Sequence, residues 1–331
     1  MKNFKFLTAL AIASISFFSS CTKTLSSDFD PEKGEKVAVN VCVRQPSTKA
    51  TGVTEKADLK VNSLQVFAFL NGNLDVYGSS NKDSLVLSCT QGKRNFYAVI
   101  NAPDLKSITT EQQLKDTTSK LSNSSLTSLE MIGSKEATIG KENRSVEISV
   151  NRLASRIVVS KVTKAFKSTA LNSLTFKIKR MYLVNASGEA KYGSPSTPVT
   201  WYNQKAFDEN LPDKLKALMF DNVDATVSSS YTTKHTFYCY PNNTQTDVND
   251  GEQFSARFTR LVIEAELGGE VCYYPINLPN LESNKSYNIS EIEITKPGST
   301  SPDEPVTAVD CKITLVVNDW TDVDVNSGTT V

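Results

Sequence analysis

Val37, Val39, Val41 and Val43 alternate with Ala38, Asn40 and Cys42, so a chain extended through 37–43 turns four valines to one face. Successive strand side chains point to opposite faces, and this period of two predicts a half-buried strand. The same reasoning predicts strands at 61–70 (VNSLQVFAFL), 84–89 (SLVLSC), 95–101 (NFYAVIN) and 145–151 (SVEISVN), with Arg152 to Val162 continuing the pattern. Asn71-Gly72 is a hairpin-turn dipeptide. Thr109 and Gln112 match a capping box ahead of Leu114, Leu121 and Leu126, which predicts one short helical excursion. Strands follow at 260–267 (RLVIEAEL), at 271–278 (VCYYPINL) and through YNISEIEIT to Thr295. Lys296 to Pro305, KPGSTSPDEP, reads as a flexible linker by its Pro, Gly and Ser content. Beyond it Cys311, Ile313, Leu315 and Val317 share one face of a last strand, with Lys312, Thr314 and Val316 on the other and Trp320 at its end. Hung past a flexible linker, that strand is expected to have no sheet of its own.

The second half weakly repeats the first. NSLQVFAFLNGNLDVYGS from Asn62 is similar to NSLTFKIKRMYLVNASGEAKYGS from Asn172, and RNFYAVINAP from Arg94 to HTFYCYPNN from His235. About 310 residues of mature chain exceed the size at which one core stops growing. Two similar sandwiches in series, joined near residue 166, account for both observations.

The first residues belong to a different physics. An apolar run from Phe6 to Phe18 follows Lys2 and Lys5 and is closed by Ser19, Ser20 and Cys21. That run is shorter than the roughly 20 residues a bilayer span needs, and its flanks are those of an export signal. A cysteine at the first mature position is a site for lipid attachment, each buried methylene adding about 0.8 kcal/mol of membrane affinity. The competing reading is an ordinary secretory signal followed by an unmodified cysteine. Residues 21–36 are polar and read as a tether.

The formal charge is zero and becomes −2 once Lys2 and Lys5 leave, so no basic excess points to nucleic acid. Cys42, Cys89, Cys239, Cys272 and Cys311 lie far apart in sequence. Their odd number and spacing favour small core hydrophobes over a paired framework or a metal site. His235 is the single histidine, and no nucleophile elbow accompanies it. Glu264 with Glu266, and Glu291 with Glu293, share strand faces, as paired acids of a glycosidase would, but also as ordinary solvent-facing charges do. No phosphate-cradling loop is visible. Neither enzyme chemistry nor a cofactor is expected.

The lipid-attachment segment, VAVNVCVRQPSTKATG, CTQGKRNFYAVINAP, RLASRIVVSKV and the closing run NKSYNISEIEITKPGSTSPDEPVTAVDCKITLVVNDW together resemble the fimbrillins, the type V pilins of anaerobic Gram-negative bacteria. The run from Asn284 to Trp320 is the most specific part. The resemblance implies an all-β chain of two tandem transthyretin-like β-sandwich domains with a C-terminal donor-strand extension. Its segments are then a lipoprotein signal peptide (1–20), a tether (21–36), domains at 37–166 and 167–305, and an extension at 306–331. It further implies lipidation at Cys21, export to the outer membrane, and cleavage by an Arg- or Lys-specific surface protease. STKATG puts the cut at Lys49–Ala50, with Arg44 as the alternative. The 37–43 strand would leave, and Cys311, Ile313, Leu315 and Val317 of another copy would replace Val37, Val39, Val41 and Val43. The partners implied are further copies of the chain and related pilins in a head-to-tail filament. Two rivals remain: a lipid-retaining anchor or accessory pilin, and a glycan-binding surface lipoprotein, whose exposed tryptophans would have to be Trp201 and Trp320.

Overall fold

A computed structural model describes residues 35–44, 60–193, 196–247, 254–307 and 310–320. The chain is all-β, and its strands fall into two sandwiches. The first contains β1 (Lys36–Arg44), β2 (Leu64–Leu70), β3 (Asn73–Ser80), β4 (Ser84–Thr90), β5 (Gly92–Ile100), β6 (Thr118–Lys120), β7 (Met131–Ile139), β8 (Ser145–Ser149) and β9 (Asn151–Arg152). One sheet runs β4-β1-β8 and the other β3-β2-β5-β7-β9. Val37, Val39, Val41, Leu87, Val146 and Ile148 of the smaller sheet pack on Val66, Ala68, Phe96, Ala98 and Met131 of the larger.

The apolar stretch Val66–Leu70 of β2 has a structural cause. Its even positions, Leu64, Val66 and Ala68, face β1, whereas Phe67 and Phe69 enter a second cluster that continues into the other sandwich. A strand covered on both faces has no polar side to show. The predicted turn closes the β2–β3 hairpin, with Asn71 at φ 49° and Gly72 at φ 82°, the left-handed pair that a two-residue hairpin needs.

The second sandwich contains β10 (Ser155–Val159), β11 (Val162–Lys164), β12 (Phe176–Val184), β13 (Ala186–Ser187), β14 (Glu189–Lys191), β15 (Trp201–Tyr202), β16 (Phe220–Thr226), β17 (Ser230–Tyr231), β18 (His235–Cys239), β19 (Arg260–Leu267), β20 (Glu270–Asn277), β21 (Lys285–Ile294) and β22 (Cys311–Asp319). One sheet runs β16-β12-β19-β20. In the other, β21 is flanked on one side by β10 and β11, both parallel to it, and β22 pairs with it antiparallel. The chain therefore passes between sandwiches at Leu153–Ala154, not near residue 166. Ile157, Val158 and Val159 are all buried, in a strand paired along both edges, with β21 and with β18. Periodicity marks the strand but carries no information about which sheet receives it.

The helix is α1 (Glu111–Asp116), capped by Thr110, whose side chain accepts from the Gln113 amide at 3.1 Å. The box thus sits one residue later than Thr109 and Gln112 suggest, and the Thr109 amide donates to the Gln113 side-chain oxygen instead. Two further short helices are α2 (Thr169–Ser173) and α3 (Asp213–Met219).

Residues 296–305 are not a free linker. Ser299 exchanges backbone hydrogen bonds with Tyr273 of β20 at 2.8 and 2.9 Å. Asp303 accepts from Arg257 and Arg260, each at 2.6 Å. A Cβ at Gly298 would come within 2.3 Å of the Tyr273 carbonyl oxygen, so only glycine lets the segment lie this close. The Pro, Gly and Ser content therefore reflects tight apposition to a sheet edge.

Glu130 lies buried where the sandwiches meet. Tyr192 of the second sandwich donates to its Oε2 at 2.6 Å, and its Oε1 has no hydrogen-bond partner among the described residues. Burial holds the Glu130 carboxyl above the usual carboxylate range. A carboxyl whose pKa is raised on folding contributes stability that is full below the unfolded value and lost as pH climbs through the folded one. Glu130→Gln is expected to raise the melting temperature at pH 7 by about 2–4 °C, as for roughly 1 kcal/mol. The gain should vanish near pH 4, and equal melting temperatures at both pH values would contradict this.

Candidate functional site

Strand β1 is the middle strand of its sheet. Lys36 to Cys42 pair antiparallel with Thr90 to Ser84, and Asn40 to Arg44 pair parallel with Ser145 to Ser149. The Asn40 amide donates to the Arg144 carbonyl at 2.8 Å, the Val43 amide to the Asp83 carbonyl at 3.0 Å, and the Val150 amide to the Arg44 carbonyl at 3.0 Å. Val37, Val39 and Val41 are buried, and Val43 packs partly against the same core. Lifting β1 out would leave a trench floored by Val66, Ala68, Phe96 and Ala98, with unpaired ladder groups on β4 and β8 as its rims. Buried backbone groups without partners are costly, so such a trench selects for another strand of the same period.

Strand β22 has the complementary character. It pairs along its whole length with β21, from Cys311 opposite Ile294 to Asp319 opposite Lys285. It is not left hanging, contrary to the sequence expectation. That expectation rests on a free segment before it, and the segment is pinned. The middle of β22 is nevertheless poorly covered: Ile313 is 39% exposed, Val316 52% and Val317 46%. Leu315 is half-buried at the rim of a cleft of about 420 Å³ lined by Phe258, Leu278 and Leu281. An edge strand that displays branched aliphatics is what soluble proteins ordinarily avoid.

The two ends hold β22 down. Cys311 is buried at one end and Trp320, fully buried, follows the other. The indole lies 4.2 Å from the Arg152 guanidinium and 4.8 Å from that of Arg156, and stacks on Tyr238 with ring centroids 5.6 Å apart. Its backbone amide donates to the Asn284 carbonyl at 2.8 Å, and Arg152 Nη1 donates to its carbonyl at 3.2 Å. Sequence reasoning did not find this seat. Its signals were Asn284, a residue type that tolerates the positive φ of 58° it adopts, and two arginines four residues apart in a run whose one other polar residue is Ser155.

Of the expected site residues, the strands carrying Val37 to Val43 and Cys311 to Val317 lie in different sandwiches, and Arg44 closes β1. Arg44 is an exposed side chain paired with Glu147 at 3.0 Å. Cys21, Lys49 and Ala50 lie outside the described residues.

The residues weighed for chemistry are placed as follows. His235 is wedged between Asp221 and Tyr231, 2.8 Å from each. Glu264 pairs with Arg180 at 2.7 Å, and Glu291 with Lys161 at 2.8 Å. The cysteines from Cys42 to Cys311 are unpaired thiols, and burial pushes those of Cys89, Cys239 and Cys311 up to about 12. Among the described residues no group of three or more His, Cys, Asp or Glu is placed to hold a metal ion. Trp201 is buried against Phe254. Neither tryptophan offers a face to a sugar.

No family model and no curated protein matches the chain. Solved structures do. The fold is similar to that of a protein assigned to cell adhesion from Bacteroides eggerthii, with a TM-score of 0.65 and 20% identity over 87% of this chain and 97% of that one. It is similar to a fimbrilin from Porphyromonas gingivalis, with a TM-score of 0.61 and 17% identity over 86% and 97%. The tip fimbrial protein of the same organism, crystallised with a C-terminal truncation, gives a TM-score of 0.51 and 14% identity over 86% and 100%. At such identities the likeness establishes the fold, and the resemblance read from sequence extends to it.

The two strands should differ sharply in what they contribute to the stability of the folded chain. Val39→Ala removes two methyl groups from a site with no exposure and is expected to cost about 2 kcal/mol in urea unfolding. Val317→Ala, at a site nearly half exposed, should stay within about 0.5 kcal/mol. Equal losses would show that β22 is as integral as β1.

Proposed function

We propose that this chain is a structural subunit of a surface fimbrium. It is exported as a lipoprotein on Cys21, loses β1 to an Arg- or Lys-specific protease, and polymerises when β22 of one subunit fills the trench β1 leaves in the next. The observation that carries this reading is that one chain holds both a central strand, buried on its valine face, and an edge strand of the same period whose apolar middle stands uncovered. The fold's likeness to fimbrial subunits supports it.

Energetics favour such a joint. Seating Ile313, Leu315 and Val317 in the trench completes the burial of three branched side chains that are only partly covered beside β21, for roughly half of the 1.5–3 kcal/mol gross that full burial of each is worth, and restores the ladder by strand addition. A head-to-tail contact of this kind does not close on itself, so it propagates as a filament. The geometry also bears on the cut. Arg44 is tied into the β1–β8 ladder and its carbonyl is occupied by Val150, so a protease would have to unzip the strand end to reach it. That favours Lys49, and processing after Lys49 releases the lipid with the excised peptide. Adhesion is then a property of the filament. Buried tryptophans give the glycan-binding alternative no support.

Val317→Asp tests the joint. In the uncut chain the new carboxylate faces water, so the melting temperature should be nearly unchanged. In the trench it would be a buried, unpaired charge, which is far more costly than a lost contact. The expected result is a folded, processed subunit whose N terminus is Ala50 and which forms no filaments. Filaments at wild-type yield would remove the donor assignment.

A further inference from the structure

Resting on that reading of β1 and β22, we infer that the trench and the donor strand are coupled: removal of β1 loosens the seat of Trp320 and so frees β22 for exchange. A short, continuous set of contacts joins the two. The last carbonyl of β1, at Arg44, is held by the Val150 amide at 3.0 Å. Val150 is buried in the same core as Val37, Val39 and Val41. Two residues later comes Arg152, fully buried, which with Asn151 forms β9 against Met131 and Ile132 of β7.

Arg152 then grips the donor strand's end directly. Its guanidinium lies over the Trp320 indole and donates to the Trp320 carbonyl. Asn284 ties the same knot from the other side: its Oδ1 accepts from the Arg152 amide at 3.3 Å, its Nδ2 donates to Asn151 Oδ1 at 3.2 Å, and its carbonyl takes the Trp320 amide. From Arg44 to Trp320 every link is therefore a hydrogen bond, a stacked pair or three consecutive residues of backbone.

The closed seat is also poised to open. Trp320 is the last described residue of the segment and, among the described residues, β22 has no strand on its outer edge, so its seat is held at one end only, by the Arg152, Arg156, Tyr238 and Asn284 contacts. Between Cys311 and Trp320 the strand contributes little apolar burial of its own. The element with two states is thus β22, held by Trp320 or released, and β1 biases it by fixing 150–152. Coupling is reciprocal, so opening the seat must likewise weaken the hold on β1. The consequence is an order of events: a subunit that still carries β1 keeps its donor strand shut, and premature strand swapping before processing is suppressed.

Trp320 reports on this if it is the only indole. In a Trp201→Phe background, the uncut mature chain should show blue-shifted emission resistant to iodide. After a Lys-specific protease has removed β1, verified by native mass, and at nanomolar concentration where subunits stay apart, emission should shift to the red with a severalfold rise in quenching. Arg152→Lys, which keeps the charge but not the flat stacking surface, should raise quenching in the uncut chain and protect the β21–β22 amides less from hydrogen exchange. An indole that stays shielded after β1 has gone overturns the coupling, even if the sample then forms filaments on concentration. An exposed indole in a sample that never polymerises sustains the coupling and counts against the proposed joint instead. An Arg152→Lys chain whose Trp320 and β21–β22 ladder match the parent would also overturn it.

Discussion

A strand hydrogen-bonded along both edges and buried on one face cannot leave without exposing two rows of unpaired backbone groups and an apolar trench. Strand β1 is in that position, between β4 and β8 and over Val66, Ala68, Phe96 and Ala98. The rest of the molecule is arranged around the constraint. The larger sheet behind β1 is covered on its far side by the cluster that runs into the second sandwich through Phe67, Phe69 and Val99. A trench opened by β1 would therefore keep a rigid floor. The second sandwich carries an edge strand that is anchored by buried Cys311 at its start and by buried Trp320 just past its end, and whose middle is uncovered.

Much of this is legible in the chain, because strands advertise their exposed and buried sides by alternation. Val37 to Val43 and Cys311 to Val317 match in period from their residues alone, and burial of the first set follows directly from it. The β2–β3 hairpin is legible for a different reason: Asn71-Gly72 meets a backbone requirement that few residue pairs satisfy. What alternation cannot express is which partner a strand takes. Ile157 to Val159 joins the second sandwich across a parallel pairing with β21, and nothing in its own residues distinguishes that from a continuation of the first.

The segment at 296–305 defeats a reading by composition for a related reason. Glycine, proline and serine mark both free coil and a stretch pressed against a neighbour, and here Gly298 at the Tyr273 carbonyl and Asp303 between Arg257 and Arg260 make it the second. With that segment pinned, β22 is delivered back to β21 and can be parked there. The weak internal repeat has a similar limit: β2 and β12 occupy matching sequence positions, but β2 turns back into β3, whereas β14 pairs with β6 of the first sandwich. Sequence similarity there survives at the level of single strands and not of their pairing.

On the proposed assembly, a stable monomer and a polymer-competent one differ only in which strand fills which place. The most direct measurement is the structure of filaments sheared from cells, by electron cryomicroscopy at side-chain resolution. The account predicts that the strand between β4 and β8 belongs to a neighbouring subunit and carries Ile313, Leu315 and Val317 toward Phe96 and Ala98. A filament in which each subunit retains its own Val37–Val43 strand in that position, with β22 still paired to its own β21, would contradict it.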